Sequence, residues 1–259
     1  GRLRTLLEQN AAAAPRFQSW TVMRLLRPKH WIKNLLVLAP LIFSGLFTRP
    51  PATVRAVLGT LLFCVAASIV YVLNDLADMQ ADALHPLKRF SRPLASGAVS
   101  VYAARTLLVV LGALLLLGSA LSISLIAVLL GYIVLNVMYS LWLKRVPVVD
   151  IFCVAAGFVL RVYAGAVVID VPLSSWMLIT TLSIALYLAA IKRRDELDVQ
   201  GNGARIVLDQ YTVPLLDRFA LMSSVCAMVF YSLFVVTTRP VLAFTIPLVL
   251  FGIFRYWFL

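Results

Sequence analysis

The stretch "AVLGTLLFCVAASIVYVLNDLADMQADALHPLKRFSRPLASG", residues 56–97, decides the fold class. Its first eighteen residues carry no charge, which is enough helix to cross the roughly 30 Å hydrocarbon layer of a membrane. Three aspartates then follow without a break, Asp75, Asp78 and Asp82, and after them Lys88, Arg89 and Arg92. A membrane helix that ends in three acids and then turns basic needs a reason beyond anchoring.

The rest of the chain repeats the first half of that pattern. The 259 residues are 62% hydrophobic and only 13% charged, far too apolar for a water-soluble domain of this length. Apolar runs predict eight spans, at about 32–48, 54–73, 101–119, 122–143, 147–169, 173–191, 214–236 and 240–259. The alternation of a β-barrel is absent. The expected fold class is therefore an all-α polytopic membrane protein.

The net charge of +12 is explained by placement. With the N-terminus in the cytoplasm, eighteen of the 23 Lys and Arg fall on the cytoplasmic side and three, Arg49, Arg55 and Arg239, on the other. That bias orients the chain and meets lipid headgroups. It leaves no call for a nucleic-acid partner. Cys64, Cys153 and Cys226 lie inside apolar runs and read as packing residues. The first residue is Gly, and residues 1–25 read as a cytoplasmic N-terminal segment or linker, with room for a fused soluble domain upstream. Residues 26–259 read as one transmembrane domain that ends inside an apolar run.

Eight of the eleven acids fall in two loops on the same face. Asp75, Asp78 and Asp82, three and four residues apart, share one side of a helix. Two readings fit them: a solvated helix end, or oxygen ligands for Mg²⁺ beside bases that take the remaining phosphate oxygens. The second loop, "KRRDELD", places Lys192 and Arg193 ahead of Asp195, Glu196 and Asp198. Such a basic run is also an ordinary end to a span. Gly201 and Gly203 would let that loop bend. Arg161 lies deep within a span, where lipid exposure is costly, so it must face a polar cavity or a partner. Asp150, eleven residues earlier, is too far along the helix axis to pair with it. Lys33 and Asn34 at the start of the first span, and Tyr139 and Lys144 at the end of the fourth, suit both a site and a membrane boundary. His30 and His85 show no metal-ligand spacing.

Taken together, these residues resemble the UbiA superfamily of intramembrane prenyltransferases, over nearly the whole chain from about Leu26. The element carrying the resemblance is Asn74, Asp75, Asp78 and Asp82, followed by Lys88, Arg89, Arg92 and Pro93. The resemblance implies a UbiA-like helical bundle capped by two polar loops, with Mg²⁺ and a diphosphate held by the three aspartates. Nine helices are usual in that family, so eight spans imply a ninth outside this chain.

The second loop departs from the aromatic members, which carry a D-x-x-x-D there. Asp195 and Asp198 are three apart behind a basic run. "RPKHWIKNLLVLAPLIF", "YSLWLKRVPVVDIFCVAAGFVLR" and "DVPLSSWMLITTLSIALYLAAIKRRDEL" look like the decaprenyl-phosphate phosphoribosyltransferase branch. That likeness implies 5-phosphoribosyl diphosphate as donor, polyprenyl phosphate as acceptor, and a place in cell-envelope glycan precursor synthesis at the bacterial cytoplasmic membrane. Lys33, Asn34, Asn74, Lys88, Arg89, Arg92, Tyr139, Lys144, Arg161, Lys192 and Arg193 are then expected to meet substrate phosphates. The alternatives are a prenyl transfer from prenyl diphosphate to an aromatic acceptor, and a non-enzymatic lipid-phosphate transporter.

Overall fold

A computed structural model of the chain describes residues 19–84, 88–200 and 206–258, and among these its regular structure is helical, with no strand. The α-helices are α1 (Ser19–Leu26), α2 (Ala39–Ser44), α3 (Pro50–Ala77), α4 (Met79–Leu84), α5 (Lys88–Ser91), α6 (Val101–Leu117), α7 (Ile123–Leu141), α8 (Val149–Val168), α9 (Ser175–Gln200), α10 (Val213–Thr238) and α11 (Ile246–Phe258). The 28 residues of α3 extend roughly 42 Å at 1.5 Å per residue. That exceeds the hydrocarbon layer of about 30 Å, so one end of α3 stands beyond it.

Among the described residues, six helical segments are long and apolar enough to cross a membrane: Pro50–Ala77, Ile123–Leu141, Val149–Val168, Ser175–Asp198, Val213–Thr238 and Pro240–Phe258. The protein is thus an integral multi-pass membrane protein, but the expected eight spans need correction. The third, Val101–Leu117, is a shorter apolar helix. The first is broken: Pro28–Leu38 winds as a 3₁₀ helix, α2 follows for six residues, and Gly45 at φ 76° ends it. Eleven residues is long for a 3₁₀ run, and its poorer hydrogen bonding marks a segment held by its neighbours.

Those neighbours are α3 and α8. A Cβ on Gly165 would lie 1.9 Å from the Val37 carbonyl oxygen, so only glycine permits this approach. Arg161 is one turn earlier on the same face of α8, and Asn34 is three residues before Val37. The close contact therefore sets the distance between Asn34 and Arg161.

Elsewhere α9 packs on α8 and α10, α8 on α7, and α3 on α6 and α7. Phe63, Leu125, Leu129, Tyr132, Ala164 and Val168 form part of the central core. Outward faces stay apolar, as at Val109, Leu116, Leu117 and Leu248, which suits lipid contact. Ser100 and Ser122 cap α6 and α7 by accepting from the Ala103 and Leu125 amides at 3.1 and 3.2 Å. Helix α1 packs against the bundle, with Leu25 buried among Val72, Leu94, Val99 and Ala104. The N-terminal expectation for residues 1–18 lies outside the described residues, as do His85, Gly201 and Gly203.

Candidate active site

The three aspartates do not ride on one uninterrupted helix. α3 ends at Ala77, Asp78 adopts φ −89° and ψ 1°, and α4 begins at Met79. The turn still carries helix-like bonds, Asp78 N–H to the Asn74 carbonyl at 2.9 Å and Asp82 N–H to the Asp78 carbonyl at 2.8 Å. The break leaves Asp75 and Asp82 buried and Asp78 exposed.

Asp75 accepts hydrogen bonds at one carboxylate oxygen from both Arg27 and Arg92. Arg92 also lies 3.8 Å from Asp82. The guanidinium of Arg27 sits 5.1 Å from the Tyr71 ring centre, one turn before Asp75 on α3. Arg27 itself has φ 50°, directly before Pro28, and this turn aims it at α3. Both arginines keep partial access to water, at 22% and 29% exposure. Arg89 is exposed and stacks 4.3 Å from the Phe90 ring centre. The Lys88 side chain lies outside the described residues.

The donor set suits a hard cation, since Mg²⁺ prefers carboxylate oxygen. Among the described residues no three His, Cys, Asp or Glu gather closely enough to hold an ion alone. That pattern is compatible with Mg²⁺, which is ordinarily held by one or two carboxylates together with substrate phosphate.

Arg161 is buried, and its three hydrogen bonds run to neutral groups. Nε donates to Asn34 Oδ1 at 2.9 Å, Nη1 to the Gly157 carbonyl at 2.7 Å, and Nη2 to the Tyr132 hydroxyl at 3.1 Å. The rings of Phe63, Tyr132 and Phe158 surround it at 5.1, 5.1 and 5.3 Å. It lines a cavity of about 140 Å³ with Lys33, Tyr71, Tyr132, Asn136 and Tyr139. Tyr132, Leu135, Asn136 and Tyr139 fall at i, i+3, i+4 and i+7, one face of α7. Lys33 is exposed at the edge of this space.

The second loop divides. Lys192 is 63% exposed and reaches only to 3.9 Å from Glu196. Its charge, with those of Lys33 and Arg27, depresses the pKa of His30, although partial burial is the larger cause. The Lys192 side chain is thus open to the space beyond the end of α9. Arg193 does not project into that space as expected. It is buried and bonds Asp150 at 2.7 Å, Glu196 at 2.7 Å and the Tyr139 hydroxyl at 3.0 Å. Asp195 and Asp198 are exposed, Asp195 lying 3.4 Å from Arg194. Lys144 is half-buried in the turn Leu143–Arg145.

Sequence reasoning counted Arg27 only as a topological charge, and passed over Tyr71, Tyr132 and Tyr211 altogether. The one available signal was the seven-residue spacing of Tyr132 and Tyr139.

The decaprenyl-phosphate phosphoribosyltransferase of Mycolicibacterium smegmatis is 38% identical over 229 residues, covering 85% of this chain and 71% of that protein. The enzyme of the same name from Mycobacterium tuberculosis is 36% identical, covering 82% and 72%. Among solved structures, a UbiA homolog from Archaeoglobus fulgidus bound to GPP and Mg²⁺ superposes with TM-score 0.75 at 24% identity, over 92% of this chain and 86% of that one. The likeness runs through both polar loops, and the family model for the UbiA prenyltransferases matches residues 37–259. The chain belongs to the UbiA prenyltransferase family.

Proposed function

We propose that this chain transfers the 5-phosphoribosyl group from 5-phosphoribosyl diphosphate to a polyprenyl phosphate of the decaprenyl type, releasing diphosphate. The observation carrying this reading is the second loop. Lys192 stands 63% exposed at the end of α9, where aromatic members place a second metal-binding acid pair. A donor with a diphosphate and a 5-phosphate, used with an anionic acceptor, calls for that extra positive charge. The names of the relatives from mycobacteria support the same substrates.

In this reaction the bond from ribose C1 to the diphosphate oxygen breaks, and its electron pair leaves with the diphosphate. An oxygen of the acceptor phosphate forms the new bond to C1. The acceptor is already anionic, so no strong base is needed, and the chain contributes placement and electrostatic stabilisation. Asp75, Asp78 and Asp82 would hold Mg²⁺, as the bound Mg²⁺ of the Archaeoglobus homolog suggests. When bound, the ion neutralises charge on the leaving diphosphate. Arg27 and Arg92, partly exposed beside Asp75, can turn from the carboxylate to diphosphate oxygens. Arg161 and Lys33 receive the acceptor phosphate in the cavity, and Asn34 holds Arg161 from behind through Nε. An apolar cavity of about 270 Å³, which shares Phe158 with it, takes the isoprenoid. The positive-inside bias supports a cytoplasmic position for both loops, at the inner membrane of a bacterium.

Purified protein in lipid, given radiolabelled 5-phosphoribosyl diphosphate and decaprenyl phosphate, should make an organic-soluble labelled product only with divalent metal. Label moving solely from prenyl diphosphate to an aromatic acid would replace this reading with the aromatic prenyltransferase. Lipid phosphate crossing the bilayer without product would replace it with a transporter.

A further inference from the structure

We propose that Arg193 is a positioning residue, which acts on the cavity through the Tyr139 hydroxyl, and that Lys192 alone of these two neighbours meets phosphate. Its bearing on turnover rests on the reaction proposed above.

Arg193 has two carboxylates as partners. Nε donates to Asp150 Oδ2 and Nη1 to Glu196 Oε2, each at 2.7 Å. One positive charge set against two negative ones gives a neighbourhood that repels phosphate. The Arg193 side chain is 4% exposed and Asp150 is 0% exposed, so an anion would also have to displace packed protein to reach the pair. Lys192, at 63%, has no such barrier.

The third donor of Arg193 points the other way. Nη2 donates to the Tyr139 hydroxyl at 3.0 Å. Tyr139 lines the cavity that holds Arg161 and Lys33, two turns along α7 from the hydroxyl that Arg161 itself holds, that of Tyr132. The two buried arginines thus orient one tyrosine each on a single helix face.

Asp150 is fastened from behind. The Tyr211 hydroxyl donates to Asp150 Oδ1 at 2.7 Å, and its oxygen accepts the Val148 amide at 2.6 Å. Burial pushes the Tyr211 phenol up, and the Asp150 hydrogen bond pushes it further, so it stays protonated and keeps donating. Val148 sits at φ 67°, a strained conformation for a β-branched residue that persists only where its surroundings hold it. Arg193 therefore joins the ends of α7, α8 and α9 and the segment before α10 into one strut, with a cavity tyrosine at its tip.

The test is a double-mutant cycle of Arg193→Lys and Tyr139→Phe, each corrected for folded fraction by thermal unfolding. Lysine keeps the charge but cannot serve three partners, and phenylalanine removes only the hydroxyl. Each variant is expected to lower kcat/KM by about tenfold, with the double variant no worse than either, because both remove the same orientation. A double variant near a hundredfold overturns the proposal, since Arg193 would then act independently of Tyr139. Full activity per folded Arg193→Lys molecule overturns it too, leaving a scaffold and nothing more. A second cycle, Asp150→Asn with Tyr139→Phe, must show the same non-additivity, and additivity there overturns the proposal even where Arg193→Lys fails to fold. Should the wild-type protein not use 5-phosphoribosyl diphosphate, the functional reading falls. The same cycles on farnesyl phosphate binding, read by calorimetry, then decide the role of Arg193: coupled losses support it and independent losses overturn it.

Discussion

The two charged clusters at this end of the bundle use the same side chains to opposite ends. Around Asp75, Arg27 and Arg92 are 22% and 29% exposed, and Asp78 is open to water. Around Asp150, Arg193 is 4% exposed and the carboxylate 0%. An arginine that water can reach is free to exchange a carboxylate for a phosphate at little cost. A sealed pair resists exchange, because each ion has already lost its hydration and holds the other in place. The first cluster is built to rearrange around a ligand, and the second to stay as it is.

Stability should separate the two clusters most sharply. Asp150→Ala leaves a buried guanidinium short of a counter-charge and should cost about 3–5 kcal/mol, read as a lowered unfolding midpoint in detergent. Asp75→Ala should cost much less, because its two arginines can resolvate. Equal losses would erase the distinction.

Next in size are the direct phosphate contacts. Arg161→Leu should raise KM for polyprenyl phosphate more than for the ribosyl donor, by roughly tenfold to a hundredfold for a lost charged hydrogen bond. A stable Arg161→Leu variant with normal kinetics would make Arg161 a holder of Asn34 and Tyr132 only. Lys192→Ala should weaken use of 5-phosphoribosyl diphosphate by about 1.5–3 kcal/mol, or roughly tenfold to a hundredfold in kcat/KM, with stability almost unchanged. Normal donor kinetics in Lys192→Ala would remove the basic second loop from the account.

A further effect on stability is expected at Gly165. A methyl group there collides with the Val37 carbonyl and should cost about 1–3 kcal/mol, while also moving Asn34 away from Arg161. An unchanged midpoint in Gly165→Ala would mean that the 3₁₀ segment yields without resistance.

The open cluster was far more legible in the sequence than the sealed one. Asp75, Asp78 and Asp82 are close in the chain, beside an apolar run and a basic run, so local spacing suffices to read them. The Arg193–Asp150 pair joins residues 43 apart, and nothing in either segment names the other. Arg193 was accordingly expected to meet substrate phosphate, like Lys192 beside it. Arg161 was legible as a residue in need of company, but not that its company would be Asn34, 127 residues away, and Tyr132. The broken first span was hidden for another reason. "WIKNLLVLAPLIF" is apolar enough to span, and periodicity does not distinguish a 3₁₀ run held by neighbours from a plain helix. The break at Asp78 is likewise set by packing, which buries its neighbours Asp75 and Asp82 and leaves it outside.

The division between an exchangeable first cluster and a basic second loop is tested most directly by Asp78→Asn against Asp198→Asn. Both remove one exposed carboxylate charge with little change in shape. The readout is diphosphate release from 5-phosphoribosyl diphosphate in the presence of decaprenyl phosphate and Mg²⁺. Asp78→Asn should lose on the order of a hundredfold to a thousandfold, as expected for removal of one group that stabilises developing charge, while Asp198→Asn stays within about tenfold of wild type. A larger loss for Asp198→Asn than for Asp78→Asn, accompanied by turnover of prenyl diphosphate with an aromatic acid, would contradict the account.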